Sequence, residues 1–226
     1  VLDYDNLLIA TGSSAKPLGI PGEDLPGVFT LKTIDDADKL VKFAGRMKDI
    51  VIMGGGLIGL QAANALYRED RNIKIIIGSK QPLSRNVDPS CAENVCQGIR
   101  ECGMSVIFET QAVSVEKTKN KLSVALSSGR HLEADAVIIG KGVSPNIQLV
   151  AESEIKVNYG IMVDETMRTN VPNVYAAGDV AEGLNLITGQ RQVIATWPNA
   201  CSQGRTAGIN MAGGMDQNEG LSSNIC

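Results

Sequence analysis

A glycine-rich stretch constrains the fold of this chain more than any other feature. It follows a short apolar segment, residues 49–53, and precedes small and apolar residues at helical spacing. A second apolar segment, residues 73–77, begins within about thirty residues of the first, as in one βαβ unit. This order predicts two parallel strands joined by a helix. The stretch itself consists of Gly54, Gly55, Gly56, Leu57, Ile58 and Gly59.

The spacing of these glycines is typical of a turn that binds a dinucleotide. Gly54 permits a tight turn after the strand, and Gly56 lets the backbone approach a pyrophosphate. Gly59 allows the helix to pack closely against the strand. The first N–H groups of the helix would then face the phosphates. We therefore predict that all six residues bind a pyridine nucleotide; a glycine-rich turn without any nucleotide is the alternative.

One component of the usual NAD-binding pattern is missing. An acidic side chain commonly ends the second strand and accepts the ribose hydroxyls of NAD. In this chain that position falls at Ile77 or Gly78, and neither side chain can accept a hydrogen bond. Ser79, Lys80 and Arg85 follow, and they would suit the 2′-phosphate of NADP or serve only as surface residues. The choice between NAD and NADP therefore stays open on these residues.

The remaining sequence also mixes predicted strands with predicted helices, so the fold class is α/β. Helices are predicted from about Thr33, over residues 90–102 and from near Pro198. Trp197 is expected to pack at the start of the last helix, with stacking on a cofactor as the alternative. Residues 13–30 are rich in Pro and Gly and are predicted to form an ordered loop.

Length and charge restrict the class of protein further. The chain has 226 residues, which suits one or two domains, and 43% of them are hydrophobic. No apolar run approaches the roughly 20 residues that a membrane span needs. The formal net charge of −4 provides no basic surface for nucleic acid. We expect neither nucleic acid nor membrane as a partner.

The five cysteines show no paired spacing and no C-x-x-C motif. An odd number without such a pattern argues against a secreted disulfide framework and predicts a reducing cytoplasm. Cys91, Cys96 and Cys102 are close in sequence. We expect them to be small apolar side chains on a helix, with a metal or redox cluster as the alternative.

Four segments resemble, in the right order, the pyridine nucleotide–disulfide oxidoreductase superfamily. The nearest branch contains NADH oxidases, rubredoxin reductases and the NADH domain of nitrite reductases. Residues 5–13 are similar to the "ATG" segment of the FAD domain, and residues 54–59 to the NAD(P)H turn. Residues 140–146 resemble the return segment to the FAD domain, and residues 168–181 resemble the second FAD motif.

The resemblance implies contacts with two cofactors, FAD and NAD(P)H. Gly178 would allow FAD to approach closely, and the Asp179 carboxylate would bind its ribityl and pyrophosphate region. From the residues alone, a helix N-cap is an equal alternative for Asp179. Gly142 would lie by the nicotinamide. The segment beside the FAD adenosine and phosphates would be Ala10, Thr11 and Gly12.

The resemblance also implies a FAD/NAD(P)-binding, Rossmann-like three-layer fold. The NAD(P)H-binding domain would span residues 31–148, inserted between two parts of an incomplete FAD domain, residues 1–30 and 149–226. The first FAD turn, the redox cysteine and the C-terminal interface domain of the superfamily have no counterpart in the sequence. We therefore expect a fragment truncated at both ends, and none of its cysteines takes the redox role.

The function implied is hydride transfer from a nicotinamide to FAD and onward to a small-molecule or small redox-protein acceptor. The full-length protein would be a cytoplasmic homodimer, and family habit favours NAD. Because the cofactors carry out this chemistry, no catalytic or metal-binding residue is nominated. Two alternatives are an isolated nucleotide-binding module without activity and a stand-alone Rossmann dehydrogenase.

Overall fold

The structure is a computed structural model, and it describes residues 3–220. Its chain divides into two compact units. The central unit is Ala15–Gly142, and the split unit contains the described residues up to Ser14 and from Val143 onward. Within residues 3–220, no helix is both long and apolar enough to cross a membrane.

Both helices and strands occur in the described residues, and they alternate from α1 to β6. The helices are α1 (Ile34–Ala44), α2 (Leu57–Leu66), α3 (Pro89–Glu101) and α4 (Trp197–Met211). The strands are β1 (Leu7–Ile9), β2 (Ser13–Ala15), β3 (Val28–Thr30), β4 (Asp49–Met53), β5 (Asn72–Ile76), β6 (Ser105–Ile107), β7 (Ala112–Lys117), β8 (Leu122–Leu126), β9 (His131–Ala134), β10 (Ala136–Ile139), β11 (Val143–Pro145), β12 (Ile161–Met162), β13 (Val174–Ala176), β14 (Ala181–Leu184) and β15 (Arg191–Gln192).

The central unit is organised around a five-stranded sheet in the order β3-β10-β4-β5-β6. All four neighbouring pairs in this sheet are parallel. Parallel sheets are covered on both faces, so their strands carry apolar residues on both sides. Strand β4 shows this, because four of its five residues are buried. The predicted α/β class is therefore confirmed.

The central unit has three layers, and alternate residues of β4 face the two outer ones. Ile50 and Ile52 belong to an apolar cluster that includes residues from α1, α2 and α3. Val51 and Met53 belong to a second cluster, shared with the antiparallel meander β7-β8-β9. This alternation follows from the period of two along a strand.

Local signals determine where two of the helices begin. Helix α1 starts after Thr33, whose hydroxyl accepts from the Asp36 N–H at 3.1 Å, while Asp36 accepts from the Thr33 N–H at 3.1 Å. This reciprocal arrangement is a capping box. Helix α3 starts after Asp88, which accepts from the Cys91 N–H at 2.9 Å, and Pro89 occupies its first turn.

The split unit has its own core. Strands β1 and β13 pair in parallel, and β14 lies between β12 and β15 in a three-stranded sheet. Tyr175 and Ile161 are among its fully buried side chains. Helix α4 contributes Ala207 to the same apolar cluster. The Asn6 side chain joins the two parts of this unit, because its Nδ2 donates to the Met211 carbonyl at 3.1 Å.

The segment predicted as a loop, residues 13–30, contains the short strands β2 and β3, so that prediction was wrong in part. Residues 28–30 form strand β3 because they pair in parallel with β10. Residues 15–30 belong to the central unit, where the Val115 N–H donates to the Pro21 carbonyl at 2.8 Å. The two ends of the central unit are adjacent, because the Lys16 N–H donates to the Gly142 carbonyl at 2.9 Å.

Candidate nucleotide-binding sites

In the central unit, the glycine turn lies at the carboxyl edge of the parallel sheet. Strands β4, β5 and β10 are neighbours and run in the same direction. The turn follows β4, Gly140 follows β10 and Ile77 follows β5, so all three segments lie at the same edge. In open α/β sheets this is the edge where ligands bind.

The first and last glycines of the turn are required by close backbone packing. Gly54 has φ +125°, and a Cβ there would overlap the carbonyl oxygen of Gly140. A Cβ on Gly59 would overlap the Gly54 carbonyl oxygen and lie 3.0 Å from its carbonyl carbon. A Cβ on Gly140 would lie 2.8 Å from the Cα of Gly59. Helix α2 therefore rests directly on the backbone of two strands.

Gly56 differs from these glycines because it faces open space. It is exposed, and a Cβ there would meet no atom within 4 Å. It is also the N-cap of α2, whose first turn has no side-chain cap and no acidic residue. The first N–H groups of α2 thus lack a capping acceptor beside an exposed backbone, with Leu57 half-buried and Ile58 37% exposed. That arrangement favours an anion such as a pyrophosphate.

Gly55 contacts the residues that follow β5. Its carbonyl accepts from the Leu83 N–H at 2.8 Å, so the loop after β5 is bound to the turn. A Cβ on Gly55 would overlap Cδ1 of Ile77, which shows that the Ile77 side chain packs beneath it. Ile77 is 2% exposed, whereas Gly78 is exposed. No carboxylate therefore ends this strand.

Lys141 and Gly142 continue from the close contact at Gly140. Gly142 is exposed, with φ +83° and no atom within 4 Å of a Cβ placed there. Lys141 is half-buried, and burial together with the positive charge of Lys16 holds the pKa of its ammonium below the ordinary value. This cation is costly to the folded unit.

In the split unit, the parallel pairing of β1 with β13 brings two predicted segments to one edge. Ile9 is the partner of Ala176, and the Ala177 N–H donates to the Ile9 carbonyl at 3.1 Å. The segment after β1 contains Ala10 and Thr11, both exposed, and Gly12, which is half-buried. The segment after β13 begins with Gly178. The two segments therefore form one loop cluster.

Asn146 holds the loop after β1. Its side-chain Nδ2 donates to the Thr11 carbonyl at 2.9 Å, and its N–H donates to the Gly12 carbonyl at 3.0 Å. In return, the Thr11 hydroxyl donates to the Asn146 carbonyl at 2.8 Å, and the Ser14 hydroxyl donates to Asn146 Oδ1 at 2.8 Å. Four hydrogen bonds thus fix a short exposed loop.

Gly178 and Asp179 lie in a single 3-10 turn, Gly178–Val180. Gly178 has φ +81°, a conformation that favours glycine, and its N–H donates to Gln203 Oε1 at 2.7 Å. The Asp179 carboxylate accepts from the Ser13 hydroxyl at 2.6 Å. The N-cap of this turn is Ala177 and has no side-chain hydrogen bond, so Asp179 does not act as that N-cap.

A family model described as "Pyridine nucleotide-disulphide oxidoreductase" matches residues 1–204. The chain belongs to this family. Of its curated members, the chain is 35% identical over 210 residues to the NADH-dependent phenylglyoxylate dehydrogenase subunit epsilon of Aromatoleum evansii. The alignment covers 93% of this chain and 50% of that protein. Rubredoxin-NAD(+) reductase of Pseudomonas putida is 31% identical, with 93% and 55% of the two chains covered.

Solved structures agree with this membership of the pyridine nucleotide-disulphide oxidoreductase family. A NAD-dependent persulfide reductase from A. fulgidus superposes with a TM-score of 0.92 at 31% identity, covering 97% of this chain and 41% of that one. The FAD/NAD(P)-binding fold implied by the sequence is thereby confirmed. The chain spans about a quarter to a half of the length of the first curated relatives that it matches.

Several residues of this family member were not foreseen as parts of the sites. Asn146 was included only as the last residue of the segment 140–146, and no contact was predicted for Ser13 or Gln203. Each partner lies far away in sequence, so no local pattern indicates these hydrogen bonds. Trp197 was expected to pack at the start of α4, but that expectation was wrong, because the side chain is 83% exposed.

Four cysteines lie in the part of the chain that is described, and their environments differ. Cys96 is buried, Cys102 is half-buried, and Cys91 and Cys201 are exposed, all as free thiols. Burial raises the pKa of the Cys96 thiol, with a further contribution from Glu93. Across residues 3–220, no group of three or more His, Cys, Asp or Glu side chains could hold a metal ion. Cys226 lies outside the described residues.

Proposed function

We propose that the chain is the nucleotide-binding part of a flavin-dependent NAD(P)H oxidoreductase. The observation that carries this proposal is the turn after β4, where an exposed Gly56 backbone meets the uncapped start of α2. The fold and the family membership support it. When both cofactors are bound, they supply hydride transfer from C4 of the nicotinamide to N5 of the flavin. The chain's own residues bind and orient them.

In the central unit, we assign the pyrophosphate of the nicotinamide coenzyme to the N–H groups at the start of α2. Gly56 gives room for the phosphates, and no acidic side chain in the first turn opposes them. Gly54 and Gly59 keep α2 in place against β4 and β10. Gly142, exposed at the end of this unit, is assigned to the nicotinamide end.

In the split unit, we assign FAD to the loop cluster after β1 and β13. Thr11 and Gly12 would follow the FAD phosphates, because Asn146 holds their backbone in one conformation. The Asp179 carboxylate would accept hydroxyls of the ribityl chain, and Ser13 orients it through one oxygen. This set fits a flavin nucleotide because it combines an exposed backbone with an oriented carboxylate acceptor.

The electron acceptor proposed for the whole protein is a small redox protein or a small molecule. The name of the Pseudomonas putida relative, a rubredoxin reductase, supports the first class. We also propose a homodimeric, cytoplasmic parent protein. The four free thiols in the described part of the chain support a reducing compartment.

Replacing Gly56 with leucine tests the coenzyme assignment. The side chain would occupy the space above the turn, so we expect Gly56→Leu to lose measurable binding of NADH and NADPH in a fluorescence titration. The matched control is Gly98→Leu, since Gly98 is exposed on α3 and a Cβ there also meets open space. Unchanged titration of Gly56→Leu would contradict the assignment of the turn.

The FAD assignment is tested by flavin absorbance after incubation with FAD and gel filtration. Asp179→Asn keeps an oxygen for Ser13 but removes the charge, and we expect it to retain less flavin than the unmodified chain. Equal flavin retention by the two proteins would argue against a contact between Asp179 and FAD. A colourless unmodified chain that still binds coenzyme would support a nucleotide-binding module alone.

A further inference from the structure

The end of β5 is the place where a dinucleotide fold distinguishes its two nicotinamide coenzymes. A carboxylate there accepts the 2′- and 3′-hydroxyls of NAD, and a cation there accommodates the 2′-phosphate of NADP. Ile77 directly follows this strand, and its buried side chain packs beneath Gly55. Gly78 follows without any side chain. A ribose hydroxyl therefore finds no carboxylate at either position.

The loop that follows has a defined conformation next to the turn. The Leu83 N–H donates to the Gly55 carbonyl at 2.8 Å, and the Gln81 side chain donates to the Val87 carbonyl at 3.1 Å. The Ser79 hydroxyl donates to the Gln81 carbonyl at 2.7 Å, so its proton is already used. The loop is thus held against the coenzyme turn by its own backbone, and Ser79 is not a free donor.

Two cations of this loop form no ion pair in the part of the chain that the structure describes. Lys80 and Arg85 are both exposed, and within residues 3–220 neither takes part in an ion pair. Lys80 is two residues beyond Gly78, and Arg85 is two residues beyond the Leu83 contact. One exposed acid, Glu109, is joined to this loop through its backbone, because its N–H donates to the Ser79 carbonyl at 3.4 Å.

We propose that the central unit prefers NADP(H) to NAD(H), with Lys80 as the main residue that binds the 2′-phosphate and Arg85 as a second cation. This inference rests on the proposed coenzyme function. The names of two relatives contain NADH or NAD, so the preference comes from residues of this chain and not from its relatives. A phosphate dianion gains a charge-assisted hydrogen bond from Lys80, whereas NAD gains no acceptor for its ribose hydroxyls.

The test is a pair of titrations, with NADPH and with NADH, of the 226-residue chain and its variants. We expect the unmodified chain to bind NADPH about tenfold more tightly, the effect of one charge-assisted contact. Lys80→Ala should remove this difference by weakening NADPH alone, and Arg85→Ala should reduce it in part. The matched control, Lys119→Ala, removes an exposed lysine of the β7–β8 hairpin and should change neither affinity.

A variant that gains NADH affinity provides a test that does not depend on the loss of NADPH binding. A Cβ on Gly78 would lie 3.4 Å from the Gln111 side chain, an ordinary contact, so Gly78→Asp can be tolerated. This variant should bind NADH more tightly and NADPH more weakly. Higher salt should weaken NADPH binding to the unmodified chain more than NADH binding, because it screens the additional charge.

The outcomes separate this inference from the proposed function. Tighter binding of NADH than of NADPH would overturn the coenzyme preference but leave the function intact. Equal weakening of both coenzymes by Lys80→Ala would overturn the assignment of the 2′-phosphate. Loss of NADH binding in Glu109→Gln would show that Glu109 accepts the ribose hydroxyls and would also refute the inference. Failure to bind either coenzyme would instead refute the proposed function.

Discussion

The contact between α2 and the central sheet leads to a prediction about Gly59→Ala. The new Cβ would overlap the Gly54 carbonyl oxygen and lie 3.0 Å from the carbonyl carbon, where nonbonded carbons prefer roughly 3.5–4.0 Å. Both sides of this contact are backbone, so relief requires α2 to move away from β4. Overpacking of this kind costs about 1–3 kcal/mol, against which alanine regains up to about 1 kcal/mol of helix propensity.

We expect the overpacking cost of Gly59→Ala to lie near the upper end of its range, because neither backbone partner can rotate away. The net loss in the free energy of unfolding is then about 2 kcal/mol. For a unit of this size, that loss lowers Tm by roughly 6–10 °C. The assay is thermal unfolding followed by circular dichroism, with urea unfolding as a second measurement. Coenzyme affinity should fall as well, because the displaced helix no longer presents its N–H groups correctly.

Gly98→Ala is the matched control for this substitution. Gly98 lies within α3 of the same unit, is exposed and has no atom within 4 Å of a Cβ placed there. The same chemical change should therefore raise stability by about 1 kcal/mol, the difference in helix propensity. The two variants are expected to shift Tm in opposite directions. If Gly59→Ala unfolded at or above the temperature of the unmodified chain, the reasoning about close packing would be refuted.

Three further predictions concern charged groups. Glu182 is 1% exposed and accepts two backbone N–H groups, so Glu182→Gln should destabilise the split unit by about 2 kcal/mol in urea unfolding, and an unchanged midpoint would contradict this. The hydrogen bond from Lys121 holds the pKa of the Asp49 carboxyl below its ordinary value of 3.8. The pKa of Asp49 is lower in the folded than in the unfolded state, so its stabilisation is complete above pH 3.8 and is lost as pH falls through the folded-state pKa. Asp49→Asn should therefore weaken the fall in unfolding free energy at acid pH. An equally steep fall in the variant and the unmodified chain would count against the ion pair. Burial disfavours the charged form of Lys141, so Lys141→Met should raise Tm at neutral pH, and a lower Tm would show that this cation has a stabilising partner.

Much of the central unit could be predicted from local patterns. Strand β4 matches its predicted bounds, residues 49–53, because it is an apolar run that ends at the glycine turn. The start of α1 near Thr33 was also predicted, and in the structure a capping box of Thr33 and Asp36 accounts for it. These elements are specified by residues that are close together in the chain.

Other elements depend on partners that are distant in sequence. Strand β3 lies in a segment rich in Pro and Gly and becomes a strand only because it pairs with β10, more than a hundred residues later. The same reason explains why the contacts of Asn146, Ser13 and Gln203 in the loops after β1 and β13 were not foreseen. Their hydrogen bonds join residues 135, 166 and 25 positions apart, and a sequence pattern contains no information on such contacts.

The hydrogen bond from the Lys16 N–H to the Gly142 carbonyl has a consequence for the modularity of this fold. This hydrogen bond of 2.9 Å joins the two ends of the central unit, so the chain enters and leaves the unit at adjacent positions. Domains with adjacent ends tolerate insertion into a host loop and circular permutation. We therefore expect residues 15–142 to tolerate exchange between proteins as one cassette, and the coenzyme preference proposed for this unit would move with it.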